Sequence, residues 1–140
     1  MAETFTNKTI PFELVSPERV LASEEVLMVV IPGEAGDFGV LADHAPLLSS
    51  IRPGVVFLHL PSGEIKKIFV AGGFADVNGT LCTVLAEEAV NVAELDRAQI
   101  EESLKGFQES LDLSKEDAVK SAYILQQIGV AQAKLAAAAI

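Results

Sequence analysis

Short, mostly apolar runs separated by turn signals fill the first two thirds of the chain. The turns between the runs are rich in glycine and proline, and no helical pattern of useful length separates them. Many short strands at such spacing are typical of a β-sandwich or barrel rather than of alternating strands and helices. The apolar runs lie at residues 10–15, 26–31, 55–60, 65–70 and 81–85.

Four polar or glycine-containing segments predict where strands end. Asn78-Gly79 favours a type I′ hairpin turn, in which both central residues have positive φ. Residues 61–63 predict a longer hairpin loop, and residues 72–74 predict a further hairpin. The acidic pair at residues 87 and 88 is expected to be solvated and to end the last strand.

After about residue 92 the hydrophobic period changes to that of a helix. Apolar residues then recur mostly at steps of three and four, which is the stripe of an amphipathic helix. They are Leu95, Ile100, Leu104, Phe107 and Leu111.

A second helix is predicted to follow a short connection. Ser114 is its expected N-cap, with Asp117 near the positive end of the helix dipole. A loop of about three residues makes the two helices antiparallel. The helix is expected to run through Ala118, Ala122, Leu125, Gly129, Ala133 and Ala136, with small residues on the side that lies against the first helix. The predicted domains are a β-sandwich over residues 1–89 and a helical hairpin over residues 90–140.

Composition excludes several classes of function. The formal net charge is -10 and the pI is about 4.5, so nucleic acid and anionic lipid would both repel the molecule. No apolar run approaches the roughly 20 residues of a membrane-spanning helix, and residues 1–7 show no signal-peptide pattern. Cys82 is the only cysteine, which excludes disulfides and thiolate metal clusters. We expect a cytoplasmic protein without direct lipid binding.

Three glycines, at positions 33, 36 and 39, form the densest unusual cluster. A phosphate loop ends in Gly-Lys-Ser/Thr, and a dinucleotide loop has Gly-x-Gly-x-x-Gly before a long helix. Neither pattern is present. We therefore expect these glycines to relieve positive-φ positions in a tight loop between strands.

Few residues suggest catalysis or metal binding. Asp43 and His44 could form part of a Ser/His/Asp triad with Ser49 or Ser50, but no Gly-x-Ser-x-Gly motif accompanies them. A histidine capped by a loop carboxylate is the alternative. A zinc site needs three or four converging ligands, and the chain has two histidines. We expect no metal and no cofactor, and an inert thiol at Cys82.

One block of sequence carries a family resemblance. Residues 33–41 form a Gly-x-x-Gly-x-x-Gly-Val-Leu segment, and residues 44–48 read His-Ala-Pro-Leu-Leu. Together they resemble the signature of the bacterial ATP synthase epsilon subunit family. Arg52-Pro53-Gly54 is similar to the family's Lys-Pro-Gly step, and residues 72–74 and 83–87 fit as well. The likeness covers roughly residues 10–111, and the remainder is similar by pattern only.

This resemblance implies a fold and a function. It implies a sandwich of about ten strands, a C-terminal antiparallel two-helix hairpin, and a non-catalytic rotor subunit. Such a subunit would bridge the gamma subunit and the c-ring on the cytoplasmic face of the membrane. By resemblance, the c-ring contact comprises Glu34, Ala35, Gly36, Asp37 and Phe38, and the gamma contact comprises His44, Ala45 and Pro46.

The hairpin departs from the family pattern. Many relatives begin the first helix with an apolar residue and Asp-x-x-Arg-Ala, a motif associated with ATP binding. Here Arg97-Ala98 is present, but Glu94 stands in the aspartate position. Glu94 and Arg97 are therefore expected to make only a weak nucleotide contact. Residues 115–140 contain three lysines and no arginine, which predicts weak inhibition through any contact with the catalytic beta subunit.

Two other functions remain open from the sequence. A free-standing β-sandwich adaptor would bind some other helix through its hairpin. A small hydrolase would use Asp43 and His44 with a nearby serine. Turnover by the isolated chain would distinguish the hydrolase, and recovery without gamma would distinguish the adaptor.

Overall fold

The computed structural model describes residues 8–140, which fall into two compact units. The boundary lies between Asn91 and Val92. The strands belong to the first unit and the α-helices to the second. Residues 1–7, for which the sequence predicts no signal peptide, lie outside the described residues.

Eight strands form the described part of the first unit. They are β1 (Ile10–Val15), β2 (Val20–Val26), β3 (Met28–Gly33), β4 (Gly36–Leu41), β5 (Leu47–Ser50), β6 (Gly54–His59), β7 (Ile65–Asn78) and β8 (Leu81–Asn91). Their order is β2-β1-β8-β7-β6-β3-β4, and β5 also pairs with β7. β1 and β8 are parallel, whereas the other pairs are antiparallel.

One core is shared by strands from both ends of this order. Val26 on β2 and Val40 on β4 belong to the same buried cluster as Phe12 and Leu58. Because β2 and β4 are the outermost strands, the sheet must fold over on itself to bring them together. The predicted fold class, a β-sandwich followed by two helices, is confirmed, with eight strands in the described residues where about ten were expected.

The prediction of a hairpin at residues 72–74 is wrong, because strand β7 continues through these residues. Gly72 and Gly73 have φ of 73° and 99°, values that other residues rarely adopt. The ladder with β8 nevertheless keeps one register on both sides of the glycines. On its other edge, β7 pairs with β6 before the glycines and with β5 after them. The two glycines therefore lie within one strand that carries different partners along its length.

The β7–β8 hairpin is present, but its turn is not the predicted type I′ turn. Asn78 pairs with Leu81, which makes Gly79 and Thr80 the central residues. Neither Asn78 nor Gly79 has positive φ. Instead, the Asn78 side-chain oxygen accepts a hydrogen bond from the Thr80 N–H at 2.9 Å, so an Asx turn replaces the left-handed geometry.

Strand β8 runs past the acidic pair at which its end was predicted. Glu87 and Glu88 lie inside the strand, and the ladder continues to Asn91 opposite Ile68. Ala89 packs against the core. Burial on one face therefore extends the strand despite the two charges.

The second unit begins with a short 3-10 turn (Val92–Glu94), followed by α1 (Arg97–Leu113) and α2 (Ala118–Ala138). Ser114 is not the N-cap of α2, as the sequence predicted, but the C-cap of α1. Asp117 caps α2, since its side chain accepts a hydrogen bond from the Lys120 N–H at 3.0 Å. The connection is thus one residue longer than expected.

The face of α2 that packs within the unit is also not the predicted one. Ile124, Ile128 and Ala131 are buried, whereas most of the predicted small-residue stripe, including Ala122 and Gly129, is exposed. Burying two isoleucines removes more apolar area from water than burying alanines and glycine. Apolar area, rather than close approach of the backbones, therefore decides which face packs.

Candidate partner-binding surfaces

The turn between β3 and β4 contains the residues predicted to contact the c-ring. Gly33 and Gly36 close the ladder. A Cβ atom on Gly33 would lie 2.7 Å from the Gly36 carbonyl oxygen, so glycine is required there for close approach. Gly36 has φ of 140°, whereas Gly39 lies within β4 and has no positive φ. Only one of the three glycines therefore relieves a positive φ, contrary to expectation.

The side chains of this turn differ in their exposure to solvent. Residues 34–37 are exposed, but Phe38 is half-buried and packs against the core. Phe38 is therefore anchored in the sandwich, and the outward charge of the turn comes from Glu34 and Asp37.

The connection between β5 and β6 holds this turn from the side. The Glu34 N–H donates to the Ser50 carbonyl at 2.9 Å, and the Arg52 N–H donates to the Pro32 carbonyl at 3.0 Å. The Arg52 guanidinium also donates to the Gly33 carbonyl at 2.6 Å and forms an ion pair with Asp37. The turn is thus held by both backbone and side-chain contacts from a segment 15 to 20 residues further along the chain.

The segment predicted to contact gamma lies at the other end of the β3–β4 hairpin. The ladder runs from Gly33↔Gly36 to Met28↔Leu41 over six pairs, which corresponds to roughly 17 Å. Residues 44–46 follow the Leu41 end. The two candidate contacts are therefore separated by the length of the hairpin.

Exposed leucines flank the second candidate contact. Leu41 is 54% exposed and Leu48 is 68% exposed. Ala45 and Pro46 between them are exposed as well. Exposed apolar side chains grouped in this way are typical of a protein-binding surface.

The triad needed for a hydrolase is not assembled. The Asp43 carboxylate forms an ion pair with Lys8, and His44 Nδ1 lies 2.6 Å from the Ala45 carbonyl oxygen, to which it donates. The Ser49 hydroxyl donates to the Ser50 carbonyl. Asp43 also has φ of 65°, which aspartate tolerates better than most residues. The alternative of a hydrolase that uses Asp43 and His44 is therefore not supported by these contacts.

Other chemically capable groups are few in the described chain. Residues 8–140 contain no group of three or more His, Cys, Asp or Glu side chains that could hold a metal ion. Cys82 is buried, and burial, with a smaller contribution from Asp76, raises its pKa to about 12. The thiol is therefore protonated and unreactive near neutral pH, as the sequence predicted.

An ion pair lines a cleft at one edge of the sandwich. Lys66 Nζ lies 2.8 Å from Glu24 Oε1, and this hydrogen bond raises the pKa of Lys66. The cleft has a volume of about 260 Å³. Its lining includes the apolar residues Leu14, Ala22 and Ile68 and the polar residue Asn91, so the ion pair is the charged part of a mostly apolar opening.

The hairpin gives Arg97 and Glu94 separate surroundings. Arg97 Nε lies 3.2 Å from Glu101 Oε1, one turn along α1, whereas Glu94 belongs to the 3-10 turn. A cleft of about 290 Å³ lies between α1 and α2, lined by residues that include Gln99, Ser103 and Lys134 but neither Glu94 nor Arg97. The predicted nucleotide contact is therefore not part of this cleft.

Arg52 is the main residue whose role the sequence did not reveal. It was noted only as part of the Arg-Pro-Gly resemblance. Its partners, Gly33 and Asp37, lie 19 and 15 residues away, and no local pattern encodes such a contact. Leu41 and Leu48 were likewise noted only within the family-like motif, and their exposure was not predicted.

None of the helices within residues 8–140 is both long and apolar enough to cross a bilayer.

A family model and individual relatives identify the chain. Residues 9–92 match the model of the ATP synthase, Delta/Epsilon chain, beta-sandwich domain. The chain is 48% identical to the ATP synthase epsilon chain of Paramagnetospirillum magneticum over 130 residues, which cover 93% of this chain and 97% of that one. It is 47% identical to the ATP synthase epsilon chain of Rhodospirillum rubrum, again over 130 residues, with coverage of 93% and 96%.

Solved structures share the fold. A chain in the Euglena gracilis mitochondrial ATP synthase, described as OSCP/F1/c-ring, matches with a TM-score of 0.81 and 22% identity, covering 92% of this chain and 81% of that chain. A chain in the central stalk/c-ring structure of the Tetrahymena thermophila enzyme matches with a TM-score of 0.52 and 14% identity, covering 64% and 72%. With the family model and the two relatives, this agreement in fold leads to one conclusion: the chain belongs to the ATP synthase epsilon chain family.

Proposed function

We propose that this chain is a non-catalytic rotor subunit of a proton-translocating F-type ATP synthase. In this role it binds gamma and the c-ring and carries rotation between them, while catalysis and nucleotide turnover belong to other subunits. It acts at the cytoplasmic face of the membrane as a peripheral component. Family membership and the central-stalk and c-ring structures that share the fold support this assignment.

The separation of the two candidate contacts carries the proposal. The β3–β4 turn, residues 34–38, is the proposed c-ring contact, and residues 44–46 with the exposed leucines are the proposed gamma contact. They lie at opposite ends of one hairpin with a fully buried valine, Val40, between them. A rigid hairpin of this kind suits a subunit that links two partners, because it transmits force without bending at its core.

Cross-linking tests the c-ring contact. Ala35 is exposed at the tip of the turn, so Ala35→Cys places a reactive thiol there, while buried Cys82 does not compete. Ser62→Cys is the matched control, because residue 62 is also exposed but lies in the β6–β7 turn at the other end of the β3–β6 pair.

In the assembled complex, the thiol at position 35 should cross-link to the c-ring and the thiol at position 62 should not. A ring adduct from position 62 alone would reverse the proposed orientation. The absence of a ring adduct from either position would remove the turn from the contact.

The hairpin is proposed to regulate hydrolysis only weakly. Lys115, Lys120 and Lys134 are the cations of residues 115–140, and Glu116 and Asp117 offset two of them. Exposed ion pairs contribute roughly 0.2–1 kcal/mol each, which is little for a brake on the catalytic beta subunit. ATP hydrolysis should proceed at similar rates with and without residues 92–140, and a large rise on their removal would contradict this proposal.

A further inference from the structure

Arg52 joins the two sides of the β3–β4 turn. One guanidinium nitrogen, Nη1, donates to the Gly33 carbonyl at 2.6 Å, and the other, Nη2, pairs with the Asp37 carboxylate. These partners lie on the two strands that the turn connects. The planar guanidinium presents several donors in fixed directions, so it can hold both groups at once, whereas a lysine ammonium is a single point charge.

The solvent exposure of this pair limits its contribution to stability. The Arg52 side chain is 43% exposed and that of Asp37 is 57% exposed. Ion pairs of such exposure add little to the free energy of folding. The contact therefore acts mainly on the conformation of the turn.

The Arg52–Asp37 ion pair also determines which carboxylate of the turn remains uncompensated. Asp37 is compensated by Arg52, whereas no hydrogen bond or ion pair of the Glu34 carboxylate is among the described contacts. The turn consequently presents one uncompensated carboxylate, that of Glu34, at an exposed position.

We propose that Arg52 is a positioning residue for partner binding by the β3–β4 turn. It fixes the two ends of the turn and neutralises Asp37, which leaves Glu34 as the carboxylate that meets a basic group of the partner. The inference rests on the proposed function of the turn as the c-ring contact.

Two readouts separate positioning from direct contact. The first is amide hydrogen exchange at Glu34 in the isolated chain, which reports the turn without any partner. The second is the affinity of the full chain for a purified complex of gamma and the c-ring. Arg52→Gln removes both side-chain contacts, Arg52→Lys keeps the charge, and Glu34→Gln removes only the free carboxylate.

Arg19→Gln is the control of equal charge. Arg19 lies in the exposed β1–β2 turn, where its backbone rather than its side chain bonds to Ser16. It should leave both readouts unchanged.

Arg52→Gln should speed exchange at Glu34 and weaken binding by roughly threefold to tenfold, as expected for the loss of a partly exposed charged hydrogen bond. Arg52→Lys should recover part of both effects. Glu34→Gln should weaken binding to a similar degree, while the other amides of the turn keep their native exchange.

Native exchange in the Arg52→Gln variant would overturn the positioning role. Weaker binding with native exchange would overturn it as well, because Arg52 would then contact the partner directly. Faster exchange with unchanged binding would contradict the turn as the ring contact and would leave its positioning by Arg52 intact, so failure of the two proposals can be distinguished.

Discussion

A carbonyl oxygen fills the space beside Gly73. A Cβ atom built on this residue would lie 1.7 Å from the Leu85 oxygen, at a φ of 99°. Gly79 differs in both respects, since its surroundings are open and its φ is not positive. The two glycines therefore form a matched pair for testing what β7 requires.

Gly73→Ala should destabilise the sandwich strongly, by about 3 kcal/mol or more, because backbone atoms rather than a flexible side chain must move. Gly79→Ala should change the free energy of unfolding by less than about 0.5 kcal/mol. Urea unfolding of the two variants measures both values. Equal, small effects would show that the positive-φ backbone at residues 72 and 73 tolerates a side chain.

Burial of Cys82 makes the free energy of unfolding depend on pH in the alkaline range. In the unfolded chain the thiol ionises near its ordinary pKa of 9.0, whereas in the folded chain burial raises its pKa to about 12. Between these values the unfolded state binds fewer protons than the folded state, so stability falls as pH rises.

The slope from this single group is at most about 1.4 kcal/mol per pH unit. Cys82→Ala should therefore lose stability less steeply than the native chain above pH 9.0, as followed by urea unfolding at several pH values. Parallel curves for the two proteins would show that the buried thiol does not contribute.

At the scale of elements, α2 shows what the sequence can and cannot predict. The helical period and the presence of a second helix were predictable, because apolar residues recur at helical steps. The cap and the buried face were not, because Ser114 and Asp117 are both good N-cap residues and apolar residues occur on more than one side of α2, as with Ile124 and Ala122. Those choices are made by packing against α1, which a single helix sequence does not encode.

In the sandwich, too, the sequence predicts the strands but not the contacts between distant residues. Alternating burial at Ile10, Phe12 and Leu14 follows the period of two that the sequence displays. The sequence predicts a turn at Gly72 and Gly73 because glycine readily adopts the positive φ that many turns require. Only the register with β8 shows that the strand continues, just as only the folded sheet brings Arg52 to Asp37.

Asp117→Ala should destabilise the hairpin by about 1 kcal/mol, because the Lys120 N–H loses its acceptor. Asp117→Asn keeps an acceptor oxygen and should be close to neutral. Thermal loss of the helical circular dichroism signal measures both changes. An equal loss from Ser114→Ala would favour the cap that the sequence predicted.

At the scale of the whole molecule, the two compact units differ in what holds them together. The main hydrophobic cluster draws only on residues of the first unit, from Ile10 to Ala89. A fragment that ends at Asn91 therefore keeps every strand and should fold alone. A fragment that ends at Glu88 lacks the residues opposite Ile68, Phe69 and Val70, and should be less stable.

Circular dichroism of the two fragments tests this independence. The longer fragment should show a β spectrum and a cooperative thermal transition, and the shorter one should melt at a lower temperature. A random-coil spectrum for the longer fragment would mean that the sandwich depends on the hairpin for its fold.

The central claim is that this chain couples rotation to ATP synthesis, and proton-driven synthesis in reconstituted vesicles tests it most directly. ATP synthase assembled without the chain should synthesise ATP at background rates, and addition of the full chain should restore synthesis. Glu34→Lys, which reverses the free charge of the turn without disturbing the Arg52–Asp37 pair, should restore it less well. Equal synthesis with and without the chain would contradict the account.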